Sequence, residues 1–259
     1  IGSHQSNSQN IAAILDIHAE TRGNHPAILS EDTAWSYADL ANRVKTQASA
    51  LNQNGIGCGD LVGLCMRDCA EHLAAMFALA RIGAIMLPMD NRWSKEEKQR
   101  FINHFQPKIL IIEDPTKIEN VRALKSETYL SQAEEANPKL APKPINADDM
   151  PLLISLSSGT TGKSKKIVLT NDCKFKRAEH TIKYYDLGSE IKTIICTPLY
   201  HSLAQRLFFI AIISGGHTVV LKKFSLDKWY RFVKKYKVTF SMLVSTHIRQ
   251  FLKSKNYNF

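Results

Sequence analysis

Residues 152–170 constrain the fold of this chain more than any other stretch. The apolar run Leu152-Leu153-Ile154-Ser155-Leu156 leads into six small residues, Ser157-Ser158-Gly159-Thr160-Thr161-Gly162, and then into Lys163-Ser164-Lys165-Lys166 and the β-branched run Ile167–Thr170. The outer runs have the composition of strands, so the block between them is a connection. Gly159 and Gly162 let its backbone turn sharply and present N–H groups. Ser157, Ser158, Thr160 and Thr161 add hydroxyls, and the lysines add positive charge. A loop of this composition is suited to wrap a polyphosphate. The plain alternative is a hairpin tip, but ordinary tips seldom gather so many small donors beside lysines.

On either side of this stretch, short apolar runs alternate with helical patterns. Ser8 or Asn10 caps a first helix, and Ala27–Leu29 and Ala34-Trp35 read as short strands. Ser36 caps a helix ended by Gly55, and strands follow at 61–66, 84–89 and 108–113, separated by helices at 70–82 and from the capping box Ser94–Glu97 onward. Four prolines and little hydrophobic pattern mark 136–151 as a surface linker. Beyond it the pattern predicts helices at 172–185, 202–213 and 225–236, strands at 192–197, 217–222 and 238–244, and a last helix near Thr246. The expected class is α/β, with mainly parallel β-sheets flanked by helices. The expected organisation is a tag remnant at 1–6 (Gly2-Ser3-His4 has the look of a cleavage scar), a first α/β subdomain at 7–135, the linker, and a second α/β part at 152–259 carrying the loop.

Composition narrows the function. The longest apolar run, Leu207–Ile213, is far too short to span a bilayer. Five cysteines, with no Cys-x-x-Cys pair, fit reduced thiols in a cytoplasmic protein, and Cys65, Cys69 and His72 read as core residues rather than metal ligands. The net charge of +10 raises the question of nucleic acid. Yet the basic residues are spread along the chain, and the densest patch, 222–237, interleaves them with Leu226, Trp229, Phe232 and Val233 at helical spacing. That is a solvated helix face. The expected partners are small anions, not nucleic acid.

Two phosphate-loop patterns compete for 157–166. A Walker loop needs a first glycine where Ser157 stands, and a helix where a strand follows. Both requirements fail. The stretch instead resembles the signature loop of the adenylate-forming (AMP-binding) superfamily of acyl-CoA synthetases and related AMP-dependent ligases, [ST]-[ST]-G-[ST]-T-G-x-P-K-G. Ser157 to Gly162 and Lys165 match it, whereas Ser164, Lys166 and Asn171 replace the usual proline, glycine and histidine. Weaker resemblances follow in the family's order: Trp35–Leu40, Gly57–Gly63, Arg81–Asp90, Thr197–Ser202, Gly216–Phe224 and Val244-Ser245-Thr246.

The resemblance implies an acetyl-CoA synthetase-like fold and a ligase that joins a carboxylate to ATP, giving an acyl-adenylate, and then passes the acyl group to a thiol. Ser157, Ser158, Gly159, Thr160, Thr161, Gly162 and Lys165 would hold the ATP phosphates, with Mg²⁺ accompanying the nucleotide. His201 would take the catalytic position beside the carboxylate, and Tyr200 would share the acid's pocket. Lys223 aligns with a residue that contacts CoA in some aryl-CoA ligases. Tyr200-His201 offers no anion for an α-ammonium, so a fatty or aromatic acid is expected rather than an amino acid. The acceptor is CoA or the phosphopantetheine of an acyl-carrier protein. Nothing here matches the family's later adenine and ribose motifs or its C-terminal catalytic domain, so the chain is expected to be an N-terminal portion, inactive alone. A degenerate nucleotide- or acyl-binding protein is the non-enzymatic alternative.

Overall fold

A computed structural model describes residues 10–116, 118–145, 149–156 and 166–254. Two sheets organise them. The five-stranded sheet contains β1 (Pro26–Leu29), β2 (Ala34–Ser36), β9 (Lys192–Ile195), β10 (His217–Val220) and β11 (Phe240–Ser241), in the order β11-β9-β10-β1-β2. The six-stranded sheet contains β3 (Leu61–Cys65), β4 (Ile85–Pro88), β5 (Ile109–Ile112), β6 (Arg122–Lys125), β7 (Pro151–Leu156) and β8 (Lys166–Thr170), in the order β6-β5-β3-β4-β7-β8. Only β2 and β8 run antiparallel to their neighbours. The mainly parallel α/β class is therefore observed.

Both sheets are covered on two faces, and their side chains alternate accordingly. In β5, Ile109 and Ile111 join the large central core, while Leu110 and Ile112 pack on the other side. In β10, Val220 faces the central core and Val219 the outer cluster. Between the sheets lie α3 (Ala70–Arg81) and α7 (Ser202–Ser214), joined by Phe77 against Phe208 and Phe209 with centroids 4.8 and 5.6 Å apart. Nearly every α3 residue is buried, as its all-round apolar sequence requires. Helices α1 (Ile11–Arg22) and α2 (Tyr37–Gln53) extend this layer. On the outer faces, α4 (Lys95–Phe105) covers the six-stranded sheet and α8 (Leu226–Tyr236) the five-stranded one.

Several local expectations hold to the residue. Ser36 and Ser94 each form a capping box, with Asp39 and Glu97 respectively, and Asn10 caps α1 through Ala12 N–H. Others change. The strand expected at 238–244 shortens to Phe240–Ser241. Between 114 and 135 the sequence pattern gave no element, yet β6 and α5 (Ser126–Glu135) form there; α5 lacks a side-chain cap and buries only Ser126, Tyr129 and Ala133. Within the expected linker, Pro142 and Ile145 are tied down. Buried Arg81 donates from Nε to Pro142 O at 2.6 Å, Ile145 N–H donates to Arg81 O at 3.0 Å, and Asn10 Nδ2 donates to Ile145 O at 2.9 Å. Each sheet draws strands from both sides of that segment.

Candidate active site

In parallel sheets, ligands bind beyond the carboxyl ends of the strands. Here both sheets present those ends to one cleft of about 890 Å³. From the six-stranded sheet come Asp68 after β3 and Arg92 after β4; from the other come Thr197 after β9 and Lys223 and Phe224 after β10. Helix α9 (Ser245–Lys253) closes one side with His247 and Gln250. Because β7 runs parallel to β4, its carboxyl end at Leu156 lies on the same edge, paired there with Lys166.

At the rim after β4, buried Asp90 is gripped by Arg92, whose Nε and Nη2 each donate to one carboxylate oxygen at 2.8 Å and whose backbone N–H donates at 3.0 Å. Burial works to raise the Asp90 pKa, but the guanidinium and backbone donors outweigh it and hold the group below the usual carboxylate value. Tyr200 lies near the same carboxylate and helps to lower its pKa. Partial burial, then the Asp90 charge, raises the tyrosine's own pKa. In the cleft lining, Asp68 Oδ1 accepts the Leu199 N–H at 2.8 Å. Burial raises the Asp68 pKa, against that hydrogen bond and Arg92.

The turn Pro198–His201 is closed by His201 N–H donating to Pro198 O at 3.0 Å. Tyr200 and His201 are in ring contact, with centroids 3.9 Å apart, and Trp93 approaches Tyr200 at 6.2 Å. Burial of part of the imidazole, together with Arg92, lowers the His201 pKa, with Asp90 opposing. At the cleft's other end Phe224 stacks on His247 at 4.0 Å, and His247 Nδ1 lies 3.8 Å from Cys196 Sγ. Burial pushes the Cys196 thiol up to about 12, which makes it a poor nucleophile.

Of the residues singled out from sequence, Lys223 lines the cleft and makes no ion pair among the described residues, while its neighbour Lys222 pairs with Asp32 at 2.6 Å. Tyr200 and His201 sit together beside the cleft rather than in its lining, linked to it through Asp90 and Arg92. Ser157, Ser158, Gly159, Thr160, Thr161, Gly162 and Lys165 lie outside the described residues. Sequence reasoning missed Asp68, Asp90 and Arg92 as site residues. The available signal was position: each lies within four residues beyond the last residue of a parallel strand. Among the described residues no group of three His, Cys, Asp or Glu side chains is placed to hold a metal ion, and no helix is long and apolar enough to cross a membrane.

Comparison with known proteins gives one consistent pattern. The family model described as AMP-binding enzyme matches residues 15–258. Indoleacetate–CoA ligase of Aromatoleum aromaticum is 27% identical over 259 residues, covering 92% of this chain and 50% of that protein. Crotonobetaine/carnitine–CoA ligase of Citrobacter koseri is 27% identical over 270 residues, covering 93% and 52%. The chain thus spans about half the length of these relatives. Among solved structures, the N-terminal subdomain of Klebsiella oxytoca NpsA in complex with 3-hydroxybenzoyl-AMSN superposes with a TM-score of 0.88 at 19% identity, covering 98% of this chain and 65% of that one. At that identity the likeness shows the fold alone.

Proposed function

The chain belongs to the AMP-binding enzyme family, and on that premise we propose that it is the N-terminal, nucleotide- and acid-binding portion of a ligase that activates a fatty or aromatic carboxylic acid for transfer to CoA. The observation that carries this reading is the shared cleft. Both sheets direct their carboxyl ends into it, and Leu156 and Lys166, the described residues that flank 157–165 in the chain, pair with each other at the carboxyl end of β7.

In the proposed reaction a carboxylate oxygen attacks the α-phosphorus of ATP. A P–O bond to the acid forms, the bond to the β-phosphate bridge breaks, and pyrophosphate leaves with the electron pair. A thiol then attacks the acyl carbon and AMP departs. The protein's work is to hold two anions together and to stabilise charge on the leaving group. Backbone and hydroxyl donors of Ser157–Gly162, with Lys165, would bind the phosphates. Mg²⁺ would arrive on the nucleotide and be held mainly by phosphate oxygens and water. His201 and Tyr200 would border the acid's carboxylate. Lys223, which makes no ion pair among the described residues, would meet an anionic group of CoA. The relatives' substrates, indoleacetate in one case, accord with an acid that has no α-ammonium.

Two measurements test the reading. Equilibrium binding of ATP and of 3-hydroxybenzoyl-AMSN, an adenylate analogue, should be detectable with this chain. Carboxylate-dependent ATP–pyrophosphate exchange, surveyed over aromatic and fatty acids, should be absent from the chain alone and appear once a C-terminal portion equivalent to the rest of the relatives' length is supplied. Binding without exchange in the longer protein would favour a non-catalytic binding role. Robust exchange by the isolated chain would refute the assignment as an incomplete portion. A thiol-acceptor assay separates CoA from a carrier protein.

A further inference from the structure

The hydrogen bonds that set the Pro198–His201 turn continue into the layer between the sheets. Leu199 O accepts from Gln205 Nε2 at 3.1 Å, and Gln205 Oε1 accepts from Lys174 Nζ at 2.8 Å. Lys174 stands one turn into α6 (Asn171–Tyr184), is 4% exposed, and holds its Nζ 5.4 Å from the Phe209 ring centroid. Buried ammonium groups ordinarily pair with a carboxylate. This one makes no ion pair among the described residues. The ionisable groups facing it are Cys173 and Arg177 on its own helix and Arg206 on α7. Burial first, then the two arginines, push its pKa down to about 7.

An apolar side chain would fill this site at lower cost. What lysine adds is chemical direction. A glutamine amide can turn over, exchanging its oxygen and nitrogen. The lysine ammonium only donates, so it fixes Oε1 toward α6 and leaves Nε2 for the Leu199 carbonyl. The glutamine's orientation, and through it the turn, is therefore set from a helix none of whose residues lines the cleft.

We propose that Lys174 is a positioning residue that, through Gln205, fixes the Pro198–His201 turn and so places Tyr200 and His201 beside the cleft. What those two residues do there rests on the function proposed above; the geometry does not.

Amide hydrogen exchange, followed by NMR on the ligand-free chain, tests this. In Lys174→Met the Leu199 and His201 amides should exchange about tenfold faster, the scale of one lost hydrogen bond, while the Ile210 amide in the middle of α7 is unchanged. Gln205→Leu should give the same pattern, and the double variant should be no worse than Gln205→Leu alone, because the lysine acts through the glutamine. Unchanged Leu199 and His201 exchange in Lys174→Met, or additive effects in the double variant, would overturn the proposal. If Lys174→Met does not fold, the wild-type chain still decides: the Tyr200 amide nitrogen must shift with the same midpoint as the Lys174 Cε resonance, and independence of the two refutes the link. Binding of 3-hydroxybenzoyl-AMSN is measured in parallel. If wild type does not bind it while exchange responds as expected, the adenylation reading fails and the positioning role stands.

Discussion

Asp68 Oδ1 accepts the Leu199 backbone N–H at 2.8 Å, and this bond joins the end of β3 in one sheet to the turn that follows β9 in the other. Asp68 itself lines the cleft that both sheets share. The carboxylate is half-buried, which makes the link an acceptor held at an electrostatic cost.

Asp68→Ala should therefore destabilise the fold by about 1–3 kcal/mol, because Leu199 N–H loses its partner. Asp68→Asn keeps an oxygen in place and removes the charge that burial penalises. The folded pKa lies above the ordinary value, so the folded state binds more protons than the unfolded one between the two values, and stability falls as pH rises through that window. Urea unfolding of wild type and Asp68→Asn from acid to neutral pH should show the decline in the wild-type-minus-variant difference, in which the contributions of other titrating groups such as His72 cancel.

Arg92→Ala tests the other anchor. Asp90 is 7% exposed, and the guanidinium supplies two of its hydrogen bonds. Without them burial is opposed far less, and the Asp90 pKa should move from below to above the ordinary carboxylate value. Carboxyl ¹³C NMR reads this directly. Arg92 is largely solvent-exposed, so a stability loss of about 1–2 kcal/mol, set by the stranded carboxylate rather than by the ion pair, is expected from the unfolding midpoint.

His72 should dominate the acid sensitivity of the core. Its ring is fully enclosed, Nδ1 lies 3.2 Å from Arg67 O, and Nε2 has no partner, so the neutral Nδ1–H tautomer is held. Burial lowers its pKa from 6.5 to about 4. Below the unfolded value the unfolded chain binds the extra proton, so stability present at neutral pH is lost as pH falls from 6.5 toward 4, by up to about 3 kcal/mol. His72→Leu should flatten that segment of the stability–pH curve, whatever its stability near neutrality. An unchanged slope would assign the acid response to other groups.

Much of the fold was legible because parallel strands buried on both faces leave continuous apolar runs, as in Lys108–Glu113, and because Ser36 and Ser94 announce their helices by local chemistry. β6 and α5 were not legible. Their short segments carry few apolar residues and no cap, and they form by packing against β5 and α2. The site divides the same way. Tyr200, His201 and Lys223 could be named from a motif, whereas Asp68, Asp90 and Lys174 acquire meaning only from partners 131, 110 and 31 positions away: Leu199, Tyr200 and Gln205. Composition gave no hint that a lysine at position 174 is interior.

His201→Ala separates a ligand-binding role from a structural one. His201 is exposed as a residue, with only part of its ring covered, and although it is the N-cap residue of α7 its side chain makes no capping bond there, so its loss should leave the unfolding midpoint within about 0.5 kcal/mol of wild type. If the ring borders the acid's carboxylate, affinity for 3-hydroxybenzoyl-AMSN should fall about tenfold, the scale of one hydrogen bond to a polar ligand group. Tyr200→Phe makes the complementary case. It removes the hydroxyl that reaches Asp90 while keeping the ring contact with His201, so it should disturb Asp90 titration more than it weakens the analogue. Calorimetric titration of both variants decides. Equal affinity for wild type and His201→Ala would move the acid's pocket away from this turn and toward the Phe224–His247 end of the cleft.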